Sequence, residues 1–399
     1  MVGNFDLDKT YQYLLISLAF LMPLTVSGAN TIIVIIVFLW LFSGNYKAKY
    51  NQIISSKLMI ASIVFYCLHV IGMLWTEDLQ WGFHILHKMW YFILFYPVLF
   101  TIVQSNYIKH YISAFLIAIT FTEIVSYLIW FEIIPAFKNA TIINPTPFMS
   151  HVTYSPILAF AIYLVLHKIF FDKKLSKFIF FFYSFIAVTM TINMFITGGR
   201  AGHVMYFVML SIFIFQFFSA QKIKSLIAIS IIIPGIFYTA YQTSPLFQER
   251  VDLTTHYITH YANNKATKAG LRITFAVNSW EVIRKNPIIG VGTGDFPNEY
   301  RKINQVNTPH LPTTTNPHNM YTLIAMQLGF MGILSMLSIF YYQLKYSFNT
   351  LNSTKFIRDV GITLPLLFLV IMWSDSYLLG HYTTLIFVFF SSFLYQDFE

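Results

Sequence analysis

Three short motifs, together rich in Arg, Gly and His, interrupt an otherwise apolar chain. The first runs Thr197, Gly198, Gly199, Arg200, Ala201, Gly202, His203, and the third Asn316, Pro317, His318, Asn319, Met320, Tyr321. Between them lies the second: Asn286, Pro287, Ile288, Ile289, Gly290, Val291, Gly292, Thr293, Gly294, Asp295, Phe296. Gly198 and Gly199 are expected to expose backbone N–H groups beside Arg200 at the start of a helix, which makes an anion site. An isolated arginine in that position would instead read as a side chain snorkelling to headgroup phosphates. In the third motif Asn316 suits a helix cap and Pro317 the first helical position, which puts His318 in the first turn. The positive end of the helix dipole disfavours a further cation there, so the imidazole is expected to be neutral at pH 7, the form that accepts a proton. The plainer alternative is an interfacial histidine that hydrogen-bonds a loop.

Arg272 belongs to a stretch with helical periodicity, residues 268–285. Leu271, Phe275 and Val282 form one apolar flank, and Ile273, Val277, Trp280 and Ile283 a second. Arg272, Ala276 and Ser279 form a third stripe whose small members leave the guanidinium uncrowded. A helix with this much apolar surface is expected to lie against the mouth of a bundle or at headgroup level. Surface helices often carry arginine, so Arg272 has the weaker case on its own. Arg250, Arg284, Lys285, Arg301 and Lys302 read first as solvated charges. Asn286 before Pro287 ends the helix, and Gly290, Gly292 and Gly294 permit a tight turn. That turn lacks the strand and the Lys-Ser/Thr context of a nucleotide-binding loop.

The elements that position these motifs are membrane helices. Hydrophobic residues make up 57% and charged residues 10% of the chain, against about 25% charged in soluble domains, and the mean hydropathy is +0.63. Runs close to the roughly twenty residues that cross a bilayer recur throughout. About twelve helices are expected, over residues 11–28, 30–44, 58–75, 89–105, 111–131, 153–170, 178–197, 202–219, 225–241, 319–343, 359–374 and 380–395. The first pair is expected to turn tightly at residues 27–30 and the last pair at 376–379. The chain thus reads as an all-α integral membrane protein in three parts: helices over 1–241, an external loop subdomain over 242–317, and helices over 318–399.

Alternate short loops are basic, with Lys47, Lys49 and Lys57, then Lys109, Lys168 to Lys177, Lys222 and Lys224, and finally Lys345, Lys355 and Arg358. These mark the cytoplasmic side and leave both termini there, with residues 242–317 outside. The start of the chain lacks a basic leader, so the first apolar run reads as a retained helix. The net charge of +9 lies mainly at loop ends that face anionic lipid, which makes nucleic acid a poor partner. Cys67 is the one cysteine, so an internal disulfide and a cysteine-based metal site are excluded. His256 and His260 have a zinc-compatible spacing but no third ligand, and no metal is expected. His69, Glu123 and Asp375 are ionisable groups within apolar surroundings that could mark an ion path. Asp375, near the outer mouth, could instead position a sugar or an arginine.

The order of the three motifs, with Trp280 before Asn286 and with Gln327, Leu328, Gly329, Phe330, Met331 and Gly332 after Tyr321, resembles the bacterial O-antigen ligase and polymerase superfamily over residues 190–345. The resemblance implies a glycosyltransferase C-type bundle with a large periplasmic loop before the third-last helix, in the inner membrane. It also implies transfer of a glycan from undecaprenyl diphosphate to a sugar hydroxyl of a lipid A-core acceptor, in lipopolysaccharide biosynthesis. Carried over by motif, His318 becomes the base, Arg200 and Arg272 the diphosphate ligands, and Gly198, Gly199, Asn319 and Asp375 their support. The commoner Gly-Ser-Arg is here Gly198, Gly199, Arg200, which removes a possible hydroxyl donor. An inverting, metal-independent single displacement without cofactor is expected. An O-antigen polymerase is the nearest rival. A protein O-oligosaccharyltransferase would carry more chain after its last helix, and a polysaccharide or ion transporter would concentrate polar groups near the midplane.

Overall fold

The computed structural model describes residues 6–138, 140–259, 266–350 and 354–398. Among these residues the chain is helical throughout, without a strand. In order the helices are α1 (Leu7–Leu21), α2 (Val26–Phe42), α3 (Tyr46–Ser55), α4 (Lys57–Gly72), α5 (Leu79–Trp90), α6 (Tyr96–Ile102), α7 (Ile108–Trp130), α8 (His151–Phe171) and α9 (Lys177–Ile196). They continue as α10 (Arg200–Phe217), α11 (Lys222–Thr243), α12 (Pro245–Thr259), α13 (Lys268–Lys285), α14 (Phe296–Asn307), α15 (Met320–Asn349), α16 (Lys355–Ile371) and α17 (His381–Leu394).

Every one of the twelve apolar stretches falls on a helix, yet among the described residues only eight are long and apolar enough to cross a membrane. A ninth is obtained if α2 and α3, bent at 116°, count as one span. The shortfall lies in α1, α16 and α17, of 15, 17 and 14 residues. The first turn comes earlier than residues 27–30. Pro23 cannot extend α1, and the Thr25 side chain accepts the Gly28 N–H at 3.3 Å to start α2. The fourth span also starts earlier, at Leu79, where Asp78 accepts the Trp81 N–H at 2.9 Å. It passes through a π-turn at Tyr91–Phe95 into α6, where Pro97 removes a donor.

The last helix is the central pillar. All residues from Thr383 to Leu394 on α17 are buried, the pattern of a helix apolar all round. Phe387 packs on Phe92, Phe340 and Phe368, and Phe390 on Phe115 and Phe160, so α17 joins the elements of both halves of the chain.

The glycine turn of the second motif is a wedge. α15 is broken at Gly329, with φ 59° and ψ −151°. The backbone groups freed there are taken up by the segment after α13: Val291 and Gly292 N–H donate to the Met326 and Gln327 carbonyls at 2.8 and 3.0 Å. In return, Phe330 and Met331 N–H donate to Pro287 and Ile288 at 2.8 and 3.2 Å. A membrane helix tolerates such a break only where its polar backbone is satisfied by protein. The two backbones touch through glycine: a Cβ on Gly290 would lie 2.4 Å from the Gln327 carbonyl, and one on Gly329 2.4 Å from that of Ile288. Thr293 Oγ1 then donates to the His69 carbonyl at 2.7 Å, and Asp295 accepts the Glu77 and Asp78 N–H groups. The turn therefore clamps α4, α5 and α15 together and fixes the direction in which α13 leaves them. Gly329→Ala meets both a clash and a positive φ, and is expected to destabilise the protein by at least about 1–3 kcal/mol. Thermal unfolding in detergent at the wild-type temperature would show that the wedge carries no such constraint.

Candidate functional site

α15 begins at Met320, capped by the Asn319 side chain, which accepts the Thr322 N–H at 3.0 Å. Asn316 is therefore not the cap, and His318 lies before the helix rather than in its first turn. Its φ is 52°, the left-handed region. A non-glycine residue there costs about 1–3 kcal/mol and persists where its surroundings over-determine it. Here Asn316 Oδ1 accepts both the His318 N–H and the Ser376 hydroxyl, each at 2.9 Å, while Asn316 Nδ2 donates to Asp375 Oδ1 at 3.1 Å. Met320 N–H to the Met372 carbonyl, 2.8 Å, and Tyr321 hydroxyl to that of Leu369, 2.6 Å, bind the same turn to the end of α16.

The helix-dipole argument for a neutral imidazole falls with that correction, and the ring instead lies beside a carboxylate. His318 Nδ1 lies 3.2 Å from Asp375 Oδ2. Burial pushes the Asp375 carboxyl up, but the His318 hydrogen bond and charge, the Ser376 N–H and the Arg272 charge outweigh it and hold the carboxyl below the usual range. A carboxylate on Nδ1 fixes the proton on that nitrogen and leaves Nε2 as the acceptor. The ring stacks on Phe275 of α13, with centroids 6.4 Å apart and planes at 24°, and its side chain stays 38% exposed.

Phe275 is one helical turn from Arg272, so the same helix that braces the imidazole presents a guanidinium beside it. Leu271, Phe275, Val282 and Ile283 pack against α14 and α15, while Arg272, Ala276, Val277 and Trp280 are exposed. Ser279, the third member of the expected small stripe, is buried. Asn278 Nδ2 donates to Thr308 Oγ1 at 2.9 Å and ties α13 to the end of α14.

Arg200 is the first residue of α10. Gly198 and Gly199 are buried, and the Gly198 N–H already donates to Asn144 Oδ1 at 2.9 Å. Their work is close packing rather than the presentation of free N–H groups. A Cβ on Gly199 would lie 2.3 Å from Ser155 Oγ, and one on Gly202 2.0 Å from Ser155 Cβ. His203 Nε2, 3.0 Å from both the Met194 and Thr197 carbonyls, closes the α9–α10 turn. The Arg200 guanidinium is partly withdrawn from water and lies within electrostatic range of the like charges of Arg250 and Arg272 and of the opposite charge of Glu249. Arg250, on α12, lies over Gly198, with its guanidinium 3.3 Å from the position of a Cβ there, and its buried Nε has no hydrogen-bond partner. Among the described residues no carboxylate forms an ion pair with Arg200, Arg250 or Arg272.

The three singled-out residues are thus linked: Arg200 to Arg272 by charge, Arg272 to Asp375, and Asp375 to His318. Arg250 was read from sequence as a solvated charge, and Asn144 was not singled out. The available signal for Arg250 was the Ser244-Pro245 helix start. Ser244 Oγ donates to the Phe195 carbonyl at 2.8 Å and anchors α12 on the end of α9. His69 and Glu123 are buried in the bundle outside this chain of contacts, with His69 Nε2 and both Glu123 oxygens unpartnered. Lys302 pairs with Glu299, while Arg284 and Lys285 are exposed. His260 lies outside the described residues.

No curated protein matches the chain. Residues 185–337, which run from within α9 to within α15 and hold Arg200, Arg250, Arg272, the glycine wedge and His318, match the family model described as O-antigen ligase, and this match places that segment in the O-antigen ligase family.

Proposed function

We propose that the chain is an O-antigen ligase that transfers a glycan from undecaprenyl diphosphate to a sugar hydroxyl of a lipid A-core acceptor. The observation that carries this reading is the His318–Asp375 pair, facing Arg272 on a segment that matches the ligase family. His318 Nε2 takes the proton of the acceptor hydroxyl as its oxygen bonds to the anomeric carbon, and the bond from that carbon to the diphosphate breaks with inversion. The diphosphate leaves as an anion, held by Arg200 and Arg272 through charge-assisted hydrogen bonds. His318 supplies the base and the arginines the anion binding, so the step invokes neither metal nor cofactor. Gly198, Gly199, Asn319 and Asp375 support these three side chains.

The site faces the periplasm of the bacterial inner membrane, with both termini cytoplasmic and residues 242–317 as the periplasmic subdomain between two helical parts, 1–241 and 318–399. Support comes from the basic loop ends, such as Lys57 at the start of α4 and Lys222 at the start of α11, helices whose other ends lead to the site. Cysteines placed singly in a Cys67→Ser background are expected to label from outside at the 80% exposed Val306, rather than at its buried neighbour Thr308, and from inside at Lys173 and Lys222. Val306→Cys labelled only from the cytoplasm would overturn the orientation. Asn263 and Asn352 serve the same test but lie outside the described residues. Deletion separates ligase from polymerase: loss of capped lipopolysaccharide with accumulated lipid-linked polymer supports the proposal, whereas retained core bearing one repeat unit would make the chain a polymerase.

A further inference from the structure

At the end of the bundle remote from His318, a cavity of about 590 Å³ opens between α3, the start of α4, the last turns of α15 and the residues after α17. Its size is that of a ligand pocket. α15 is 30 residues long, roughly 45 Å at 1.5 Å per residue, so its turns from Tyr342 onward reach the far side of a hydrocarbon core about 30 Å thick. α3 fixes the depth. It bends away from α2 by 116°, buries no residue and keeps Tyr46, Tyr50 and Ile54 exposed beside Lys47 and Lys49, the pattern of a helix lying at head-group level.

Charge and apolar surface meet in this cavity. Lys57 and Lys345 line it from α4 and α15, and among the described residues no carboxylate forms an ion pair with either. Asp397, after α17, lines it as well, and one of its oxygens accepts the Tyr346 hydroxyl at 2.8 Å. Leu58, Phe100 and Tyr342 supply apolar wall. Ile60 of α4 and Tyr341 and Phe348 of α15 are exposed close by along the same helices, so the cavity borders lipid as well as water.

We propose that this cavity binds the head group of a membrane phospholipid that carries a primary amine, with the phosphate on Lys57 and Lys345 and the ammonium on Asp397. The inference is independent of glycan transfer and concerns the face opposite to it. Two cations alone would suit any phospholipid phosphate. The carboxylate decides the class: it repels a purely anionic glycerol head group, and it accepts N–H bonds from an ethanolamine ammonium but none from the quaternary amine of choline. Bound there, the lipid joins α4 to α15, the two helices that the glycine turn clamps nearer their other ends.

The test uses purified full-length protein and native mass spectrometry to measure dissociation constants for phosphatidylethanolamine, phosphatidylglycerol and phosphatidylcholine with the same acyl chains. Glycerophosphoethanolamine and inorganic phosphate serve as soluble probes. The ethanolamine lipid is expected to bind about tenfold tighter than the other two, the difference that one charged hydrogen-bonding pair makes. Lys57→Gln combined with Lys345→Gln should weaken all three by about tenfold, and Asp397→Asn should bring the ethanolamine lipid to the level of the choline lipid. Lys224→Gln, at an exposed position on α11 outside the cavity, should change nothing. Melting temperatures without lipid should match the wild type, which separates lost binding from lost fold. Equal affinities for the three lipids in the wild type, unchanged binding in the double variant, or an equal loss in Lys224→Gln overturns the proposal. Soluble probes that bind as tightly as the lipid overturn it in favour of a free phosphate. The transfer reading stands in every case, since none of these residues belongs to its site.

Discussion

Replacing His318 with alanine is expected to lower glycan transfer by about 10²–10⁴-fold, the range for a positioned general base, while the protein still binds lipid diphosphate. The expectation rests on how the ring is held. Three hydrogen bonds made by Asn316 fix the backbone at a positive φ, Asp375 fixes Nδ1, and Phe275 fixes the ring plane. Only Nε2 is left to face a substrate. Asp375→Asn keeps the shape but offers an amide that can donate to Nδ1, which selects the wrong tautomer and should cost up to about 10⁴-fold. The pH dependence follows from charge. Asp375 is held below the usual carboxylate range, so it stays ionised as acid is added and its stabilising contact is lost only when the pH falls through that lowered value. The ionised Asp375 is what holds the Nδ1 proton, so transfer is expected to be present above that lowered carboxyl value and to fall as the pH drops through it. Normal transfer by purified His318→Ala would reduce His318 to a residue that only shapes the start of α15.

Much of this was legible in residues with one dominant local cause. Residues 268–285 carry a helical period and end at a proline, and the helix observed has those bounds. The turn expected at residues 376–379 is there because Ser376, Tyr377 and the residues beside them form a short 3-10 turn. The start of α15 was misplaced because two asparagines three residues apart both offer a cap, and sequence spacing does not say which one a distant partner will claim. Ser376 and Asp375 claim Asn316, which leaves the cap to Asn319. Gly198 and Gly199 were read as donors for the same reason, since the competing acceptor Asn144 lies 54 residues away. The glycine turn at 290–294 was legible as a turn but not as a wedge, because its partner is a break in α15 that hydropathy does not register. Arg250 was hidden by the assumption that a long polar segment is solvated, when α12 in fact folds back onto the end of α9.

The arginines give the second large effect. Arg200→Ala and Arg272→Ala are each expected to cost about 2–4 kcal/mol of transition-state stabilisation, the loss seen when one preorganised donor to a developing charge is removed. Lysine should restore only part of it, because a point charge lacks the planar fork that pairs with two phosphate oxygens. Stability should move differently. In the unliganded protein Arg200 is repelled by Arg250 and Arg272, and among the described residues none of the three pairs with a carboxylate. Removing one of these like charges relieves repulsion, so Arg200→Ala should melt no lower than the wild type while its transfer rate collapses. Such an opposition is the mark of a site held at some expense of stability for function. A purely structural arginine would lower both together. Because Arg200 and Arg272 share one ligand in this reading, the double alanine variant should lose less than the two single losses added. Wild-type turnover by Arg200→Ala, or a melting temperature that falls in step with its activity, would remove Arg200 from the diphosphate site.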